Sequence, residues 1–156
     1  MNILCICHAN ICRSFMAQEF FKQLLPGETV FSRGLYADPS YKVPPKVKEV
    51  LSAHHIPFTA HTATPLAAQD LAQANLIFCM EQAHADLLLD KYAQYTDKIW
   101  LLTDFAFDRA QDLQDPIGLD GRAFTKQAQH LYKACQAAAK RIKSHISKEK
   151  LWKELF

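Results

Sequence analysis

Cys7 and Arg13 bracket a short run, Cys7-His8-Ala9-Asn10-Ile11-Cys12-Arg13-Ser14, whose residue types suit oxyanion chemistry. A guanidinium is a planar fork of donors that grips two oxygens of a phosphate at any physiological pH. A thiolate is a strong nucleophile. With five residues between them, the two side chains could flank a phosphate-sized group. The pattern alone is loose, and a buried strand-end cysteine is the commonplace alternative for Cys7.

The surrounding elements favour the cradle. The apolar run Ile3-Leu4-Cys5-Ile6 reads as a strand buried on both faces, as in a parallel sheet. Met16, Phe20, Phe21, Leu24 and Leu25 recur at helical spacing until Pro26-Gly27. The run of residues 7–14 is therefore expected to be a loop leading into a helix N-terminus. Ser14 is the expected N-cap. Unpaired N–H groups of the first turn, and amides curled from His8 to Arg13, would supply anion donors. The same positive field would depress the pKa of Cys7.

Further along, Thr29–Ser32 reads as a second strand closed by Gly34. Residues 35–45, with three prolines and with Tyr36 and Tyr41, read as a functional loop. A helix is expected over about 45–54, a short one over 67–73, and the clearest central strand at Leu76–Met80. A helix with Leu87 and Leu88 inward is expected over 83–92, and a fourth strand at Lys98–Leu102. Residues 103–122 read as a long acidic loop carrying Asp104, Asp108, Asp112, Asp115 and Asp120. Spacing alone does not choose among these carboxylates, and Asp115-Pro116 is also an ordinary turn pair. A final helix is expected from Ala123 to about Ser147, then a tail with Leu151, Trp152, Leu155 and Phe156 that packs on the body, self-association being the alternative.

Strands alternating with helices predict an α/β, three-layer, Rossmann-like fold: a central four-stranded parallel twisted sheet with helices on both faces. Ligands in such folds bind at the carboxyl ends of the strands, where residues 7–14 lie. The chain reads as a single catalytic domain over 1–147 with a C-terminal extension over 148–156. A net charge of +2 is too mild to argue for nucleic acid or membrane adsorption, and no apolar run approaches the ~20 residues of a membrane span. Five cysteines without disulfide or zinc spacing, and no leader-like start, predict a reduced, cytoplasmic setting, delivery outside the cell by a non-classical route being the alternative. No metal and no cofactor are expected.

The run of residues 7–14 resembles the signature loop of the low-molecular-weight protein tyrosine phosphatases, C-x-G-N-x-C-R-S. The resemblance continues through Met16-Ala17, Ser32-x-Gly34, His61-Thr62-Ala63, Phe78-Cys79-Met80 and Asp115-Pro116, in order, to about residue 146. It implies the phosphatase fold and hydrolysis of phosphotyrosine proteins or aryl phosphates through a cysteinyl-phosphate. Cys7 would be the nucleophile, and Arg13 would bind the phosphoryl oxygens. Asp115 would be the acid that protonates the leaving phenolate and the base that then activates water. His8, Ala9, Asn10, Ile11, Cys12, Arg13 and Ser14 would form the phosphate-binding loop. Asn10, Ser14, Ser32 and His61 would support it, and Cys12 would protect Cys7 by a reversible disulfide. Tyr36, Tyr41 and Ile117 are the candidate cleft walls. A monomer is expected, a weak dimer being the alternative.

Several positions depart from the family pattern. Ala9 replaces a usual glycine, which implies strain if that position needs positive φ. Phe15 replaces a usual proline, Arg33 a small residue beside Ser32, and Ile117-Gly118 the usual tyrosines. Two competing readings are an arsenate reductase of the same fold, whose redox relay Cys79 in a strand and Cys135 in a helix are not placed to supply, and a catalytically weak phosphoprotein-binding module.

Overall fold

The computed structural model describes residues 1–155. Strand β1 (Asn2–Cys7) lies inside a four-stranded sheet of order β2-β1-β3-β4, with β2 at Thr29–Gly34, β3 at Leu76–Cys79 and β4 at Ile99–Leu101. All neighbours are parallel; Cys5 sits beside Ser32 on one side and Phe78 on the other. Side chains of β1 alternate between two cores, as a period of two requires. Ile3, Cys5 and Cys7 enter a large core with α1 (Arg13–Leu24), α2 (Pro45–Ala53), α5 (Leu102–Phe107) and α6 (Gly121–Leu155). Leu4 and Ile6 enter a smaller one with α3 (Ala68–Gln73) and α4 (Gln82–Lys91). Two buried faces explain why the β1 sequence is continuously apolar rather than alternating.

The chain steps from β1 outward to β2, then crosses back to β3 on the other side of β1. The connections after β1 and β3 therefore diverge, leaving a crevice at the carboxyl ends of these two strands. Helix α1 packs against the alanine-rich stripe of α6, where Ala134, Ala138 and Ala139 are buried and their small side chains allow close approach.

The structure corrects several local expectations. Helix α1 begins at Arg13 with Cys12 as the N-cap residue, so Ser14 is not the cap. Leu102, expected at the end of the fourth strand, and residues 103–107, expected as loop, are helical, because Leu102 and Phe105 turn into the core; Asp108, at φ 51°, ends the helix. The fourth strand is shorter than expected, following a 3-10 turn at Ala93–Lys98. Leu88 is buried but Leu87 is exposed. The last helix runs without a break to Leu155, and Leu151, Trp152 and Leu155 stand exposed rather than packed on the body. Phe156 lies outside the described residues.

Candidate active site

Asn10 holds the loop's shape. Its backbone is left-handed, at φ 60°, a conformation asparagine tolerates better than most residues. The turn brings its N–H to within 3.3 Å of Cys7 Sγ. Its fully buried side chain donates from Nδ2 to Ser14 Oγ and to Ser32 Oγ, both at 2.9 Å, and its Oδ1 accepts from Thr64 N–H at 2.9 Å. Its carbonyl oxygen accepts from His61 Nε2 at 2.6 Å, which fixes the proton on that nitrogen. Ser32 in turn donates to Gln18 Oε1 at 2.7 Å. The positive φ falls on Asn10 and not on Ala9, so alanine at position 9 carries no left-handed strain.

Ser14, freed from capping, faces Cys7: Sγ and Oγ are 2.9 Å apart. The thiol can donate to that hydroxyl, and the hydroxyl can donate back to a thiolate. Among the described residues, the N–H groups of Ala9, Ile11 and Cys12 donate to no protein acceptor. Together with the first turn of α1 they form a nest of amides around the Cys7 sulfur, with the positive end of the helix dipole behind it.

The loop is locked from outside as well. Leu35 N–H donates to Cys7 O at 3.0 Å and Tyr36 N–H to His8 O at 2.8 Å. Gly34 permits this approach: a Cβ there would lie 2.8 Å from His8 O and 3.0 Å from the Ala9 carbonyl carbon. Phe15 also has a place. Its ring stacks on His61, centroids 4.0 Å apart, and meets Phe58 edge-on. Burial lowers the His61 pKa, outweighing the Asn10 carbonyl and Glu19, so the ring is held neutral as a donor. Arg33 does not intrude on Ser32. Its Nε pairs with Asp70 at 3.0 Å, its Nη1 donates to Ser32 O at 2.8 Å, and Asp70 caps α3 through Ala67 N–H.

Arg13 is buried, and its guanidinium is aimed by groups at the ends of β3 and the late loop. Nη1 donates to Glu81 Oε1 and to Leu113 O, the latter at 2.9 Å; Nη2 lies 3.4 Å from Asp115 Oδ2. Leu113 N–H donates to Met80 O at 2.9 Å, so the same residue that holds Arg13 is pinned to the end of β3. Asp115 is exposed, and its Oδ1 accepts from Ile117 N–H at 3.0 Å in a tight turn. Sequence reasoning missed Glu81. The available signal was its place: an acidic residue directly after a central strand, on the sheet edge that carries the loop. It also missed His84, which is buried beside Glu81, Nε2 to Oε2 3.9 Å, with Nδ1 unpartnered.

The site thus gathers Cys7, Asn10, Arg13, Ser14, Ser32, His61 and Asp115. Tyr36 is at its edge, its ring 4.8 Å from that of His8. Ile117 is exposed in the Asp115 turn. Tyr41 is exposed in a turn closed onto Asp38 and has no hydrogen bond to the loop, so it is not brought to the site by any described contact. All five cysteines are free. Burial pushes the thiols of Cys5, Cys12 and Cys135 well up, and that of Cys79 to about 12. Among the described residues no group of His, Cys, Asp or Glu could hold a metal ion.

Residues 2–148 match the family model for low molecular weight phosphotyrosine protein phosphatases. The chain belongs to that family. It is 30% identical over 143 residues to the probable low molecular weight protein-tyrosine-phosphatase EpsP of Ralstonia nicotianae, covering 92% of this chain and 97% of that one. It is 29% identical over 147 residues to a protein-arginine-phosphatase of Bacillus subtilis, at the same coverage. Its fold superposes with a TM-score of 0.85 on YwlE arginine phosphatase, at 27% identity, covering 92% of this chain and 96% of that one; that structure is of a cysteine-to-serine mutant with a phosphorylated active-site serine. The chain is therefore a phosphatase of this cysteine-dependent family, acting on phosphoprotein or aryl phosphate substrates. The arsenate reductase and binding-module readings are not favoured.

Proposed function

We propose that Cys7, Arg13 and Asp115 hydrolyse phosphotyrosine in two steps. The Cys7 thiolate attacks phosphorus, the bond to the tyrosine oxygen breaks, and the Asp115 carboxyl gives its proton to the departing phenolate. The Asp115 carboxylate then takes a proton from water. The water oxygen attacks phosphorus, the sulfur–phosphorus bond breaks, and phosphate leaves. Arg13 and the loop amides hold the equatorial oxygens in both steps, where charge develops. Ser14 steadies the thiolate each time it carries the charge, since its hydroxyl is 2.9 Å from Sγ. The observation that carries this reading is the convergence on one crevice of a sulfur, a nest of unpaired amides, a buried guanidinium and an exposed carboxylate. Cys12 has a buried thiol close by in sequence and is the partner for reversible oxidation of Cys7.

The rim supports an aryl substrate over a guanidinium one. Tyr36, braced by His8, and Ile117 present aromatic and apolar surface. Ile11, half-buried in the loop, offers no acceptor. Glu81 is already engaged by Arg13, and Asp115 is needed for proton transfer. A phosphoarginine would therefore bring donors to a rim with few acceptors to meet them. We place the enzyme in the cytoplasm, acting alone as a monomer. Turnover of an aryl phosphate and of phosphotyrosine, phosphoserine and phosphoarginine peptides, by wild type, Cys7→Ser and Asp115→Asn, tests the proposal. It predicts preference for the tyrosine peptide, no turnover with Cys7→Ser and a loss of about 10²-fold or more with Asp115→Asn. A preference for the phosphoarginine peptide would overturn the substrate assignment, and undiminished turnover by Asp115→Asn its acid.

A further inference from the structure

His84 is 7% exposed, in the first turn of α4. Its Nδ1 has no hydrogen-bond partner among the described residues. A buried polar atom without a partner costs stability, and an apolar side chain would fill the place without that cost. A histidine at such a position points to a task for the other ring nitrogen. That nitrogen, Nε2, faces Glu81 Oε2 at 3.9 Å. Glu81 is half-buried, and its second oxygen, Oε1, accepts from Arg13 Nη1. Imidazole, carboxylate and guanidinium therefore form a chain that ends on the cation of the loop.

The surroundings keep the ring uncharged. Burial lowers the His84 pKa; Arg13 and His8 add to this, while Glu81 and Asp112 oppose it. The amino end of α4 also disfavours a cation. Asp112 is itself occupied, accepting from Gln82 N–H at 2.7 Å. The single proton of a neutral ring belongs on the nitrogen that faces a carboxylate, because a lone pair there would repel it. His84 is thus a neutral donor with its N–H at Nε2. The 3.9 Å gap is longer than a hydrogen bond, and such contacts in a substrate-free site tighten in the substrate complex. His84 N–H already donates to Glu81 O at 3.1 Å, so the backbone holds the two residues together and only the side chains have to turn.

We propose that His84 is a positioning residue for phosphoryl binding: it donates from Nε2 to Glu81 as the oxyanion enters, and so fixes the carboxylate that aims Arg13. The proposal rests on the reading of Arg13 as the clamp for the phosphoryl oxygens. An incoming dianion pulls on the guanidinium that Glu81 holds. Without a donor behind it, the Glu81 carboxylate is free to swing towards water, and Nη1 keeps only Leu113 O, at 2.9 Å. With the donor in place the carboxylate is held by its far oxygen. Nη1 then stays anchored while the remaining N–H groups take the phosphate.

Inorganic phosphate, as a competitive inhibitor of aryl phosphate turnover, tests this. His84→Leu should weaken phosphate binding about fivefold and be no less stable in urea, since the orphan Nδ1 goes too. His84→Gln, whose amide N–H lies near the place of Nε2, should restore binding to within about twofold of wild type. His84→Asn, whose amide lies near the place of Nδ1, should not. In a Glu81→Gln background, His84→Leu should cost nothing further. Nitrogen NMR at neutral pH should show the His84 proton on Nε2, with and without phosphate. Phosphate binding unchanged by His84→Leu, an equal loss in the Glu81→Gln background, rescue by His84→Asn rather than His84→Gln, or a proton on Nδ1 would each overturn the proposal. Arg13→Ala separates the two readings. Phosphate binding that survives it overturns the clamp and this proposal with it; binding lost in Arg13→Ala but intact in His84→Leu overturns the proposal alone.

Discussion

Replacing Asn10 by alanine should damage stability and catalysis together, by an amount the structure lets one work out. The substitution removes three side-chain hydrogen bonds, to Ser14, Ser32 and Thr64. At about 1 kcal/mol net each, they contribute about 3 kcal/mol. It also puts a Cβ-bearing residue without a compensating side chain at φ 60°, which costs about 1 kcal/mol more. The sum of about 4 kcal/mol corresponds to a fall in Tm of about 10 °C for a domain of this size. Ser32→Ala leaves the backbone alone and removes only the bonds to Asn10 and Gln18, so it should cost about 2 kcal/mol. Because the two residues share one bond, the double variant should be less destabilised than the sum by about 1 kcal/mol. Thermal and urea unfolding of the four proteins, with kcat/KM on an aryl phosphate, measure all of this. An Asn10→Ala variant within about 1 kcal/mol of wild type and fully active would refute the view that Asn10 shapes the loop.

Glu81→Gln keeps the volume but removes the charge that anchors Arg13 Nη1, so binding of inorganic phosphate as a competitive inhibitor should weaken about tenfold; tighter binding would mean that Glu81 competes with phosphate instead. Gly34→Ala should lower kcat/KM at least about tenfold with the fold retained by circular dichroism, because its Cβ meets His8 O at 2.8 Å; an unaffected enzyme would show that the turn yields freely. One buried and two half-buried histidines set a pH dependence of stability. Burial lowers the pKa of His54, His61 and His84 from the ordinary 6.5, so the unfolded chain takes up protons that the folded one refuses. Stability should therefore decline as pH falls through about 6.5 and below, as urea titrations on either side of that value will read, and His84→Asn should flatten the slope.

Much of the architecture could be read from the chain because the decisive signals were local. Ile3-Leu4-Cys5-Ile6 carries the two-sided burial of β1 in its continuous apolar character, and Leu76–Cys79 does the same for β3. The loop was legible because Cys7, Asn10, Arg13 and Ser14 sit between a strand and a helix. What failed was long-range or context-dependent. Ser14 looks like a cap by residue type, yet its hydroxyl is drawn to Cys7 and Asn10 instead. Residues 103–107 look like the start of an acidic loop because Asp104 opens a run of five aspartates, although Leu102 and Phe105 suffice to bury one face of a helix. Glu81 and His84 gain meaning only when β3 is laid beside β1. Arg33 and Phe15 looked like liabilities in isolation, and their partners, Asp70 and His61, come from sequence positions 37 and 46 residues away.

The central claim is that phosphorus passes through the Cys7 sulfur. Rapid acid quenching of the enzyme during turnover of an aryl phosphate, followed by proteolysis and mass spectrometry of the segment Met1–Arg13, tests it most directly. The account predicts one phosphoryl group on that segment, assigned by fragmentation to Cys7 rather than to Cys5 or Cys12, and accumulating when water attack is slowed by Asp115→Asn. Steady turnover with no phosphoryl group on Cys7, or turnover that survives Cys7→Ser, would contradict it.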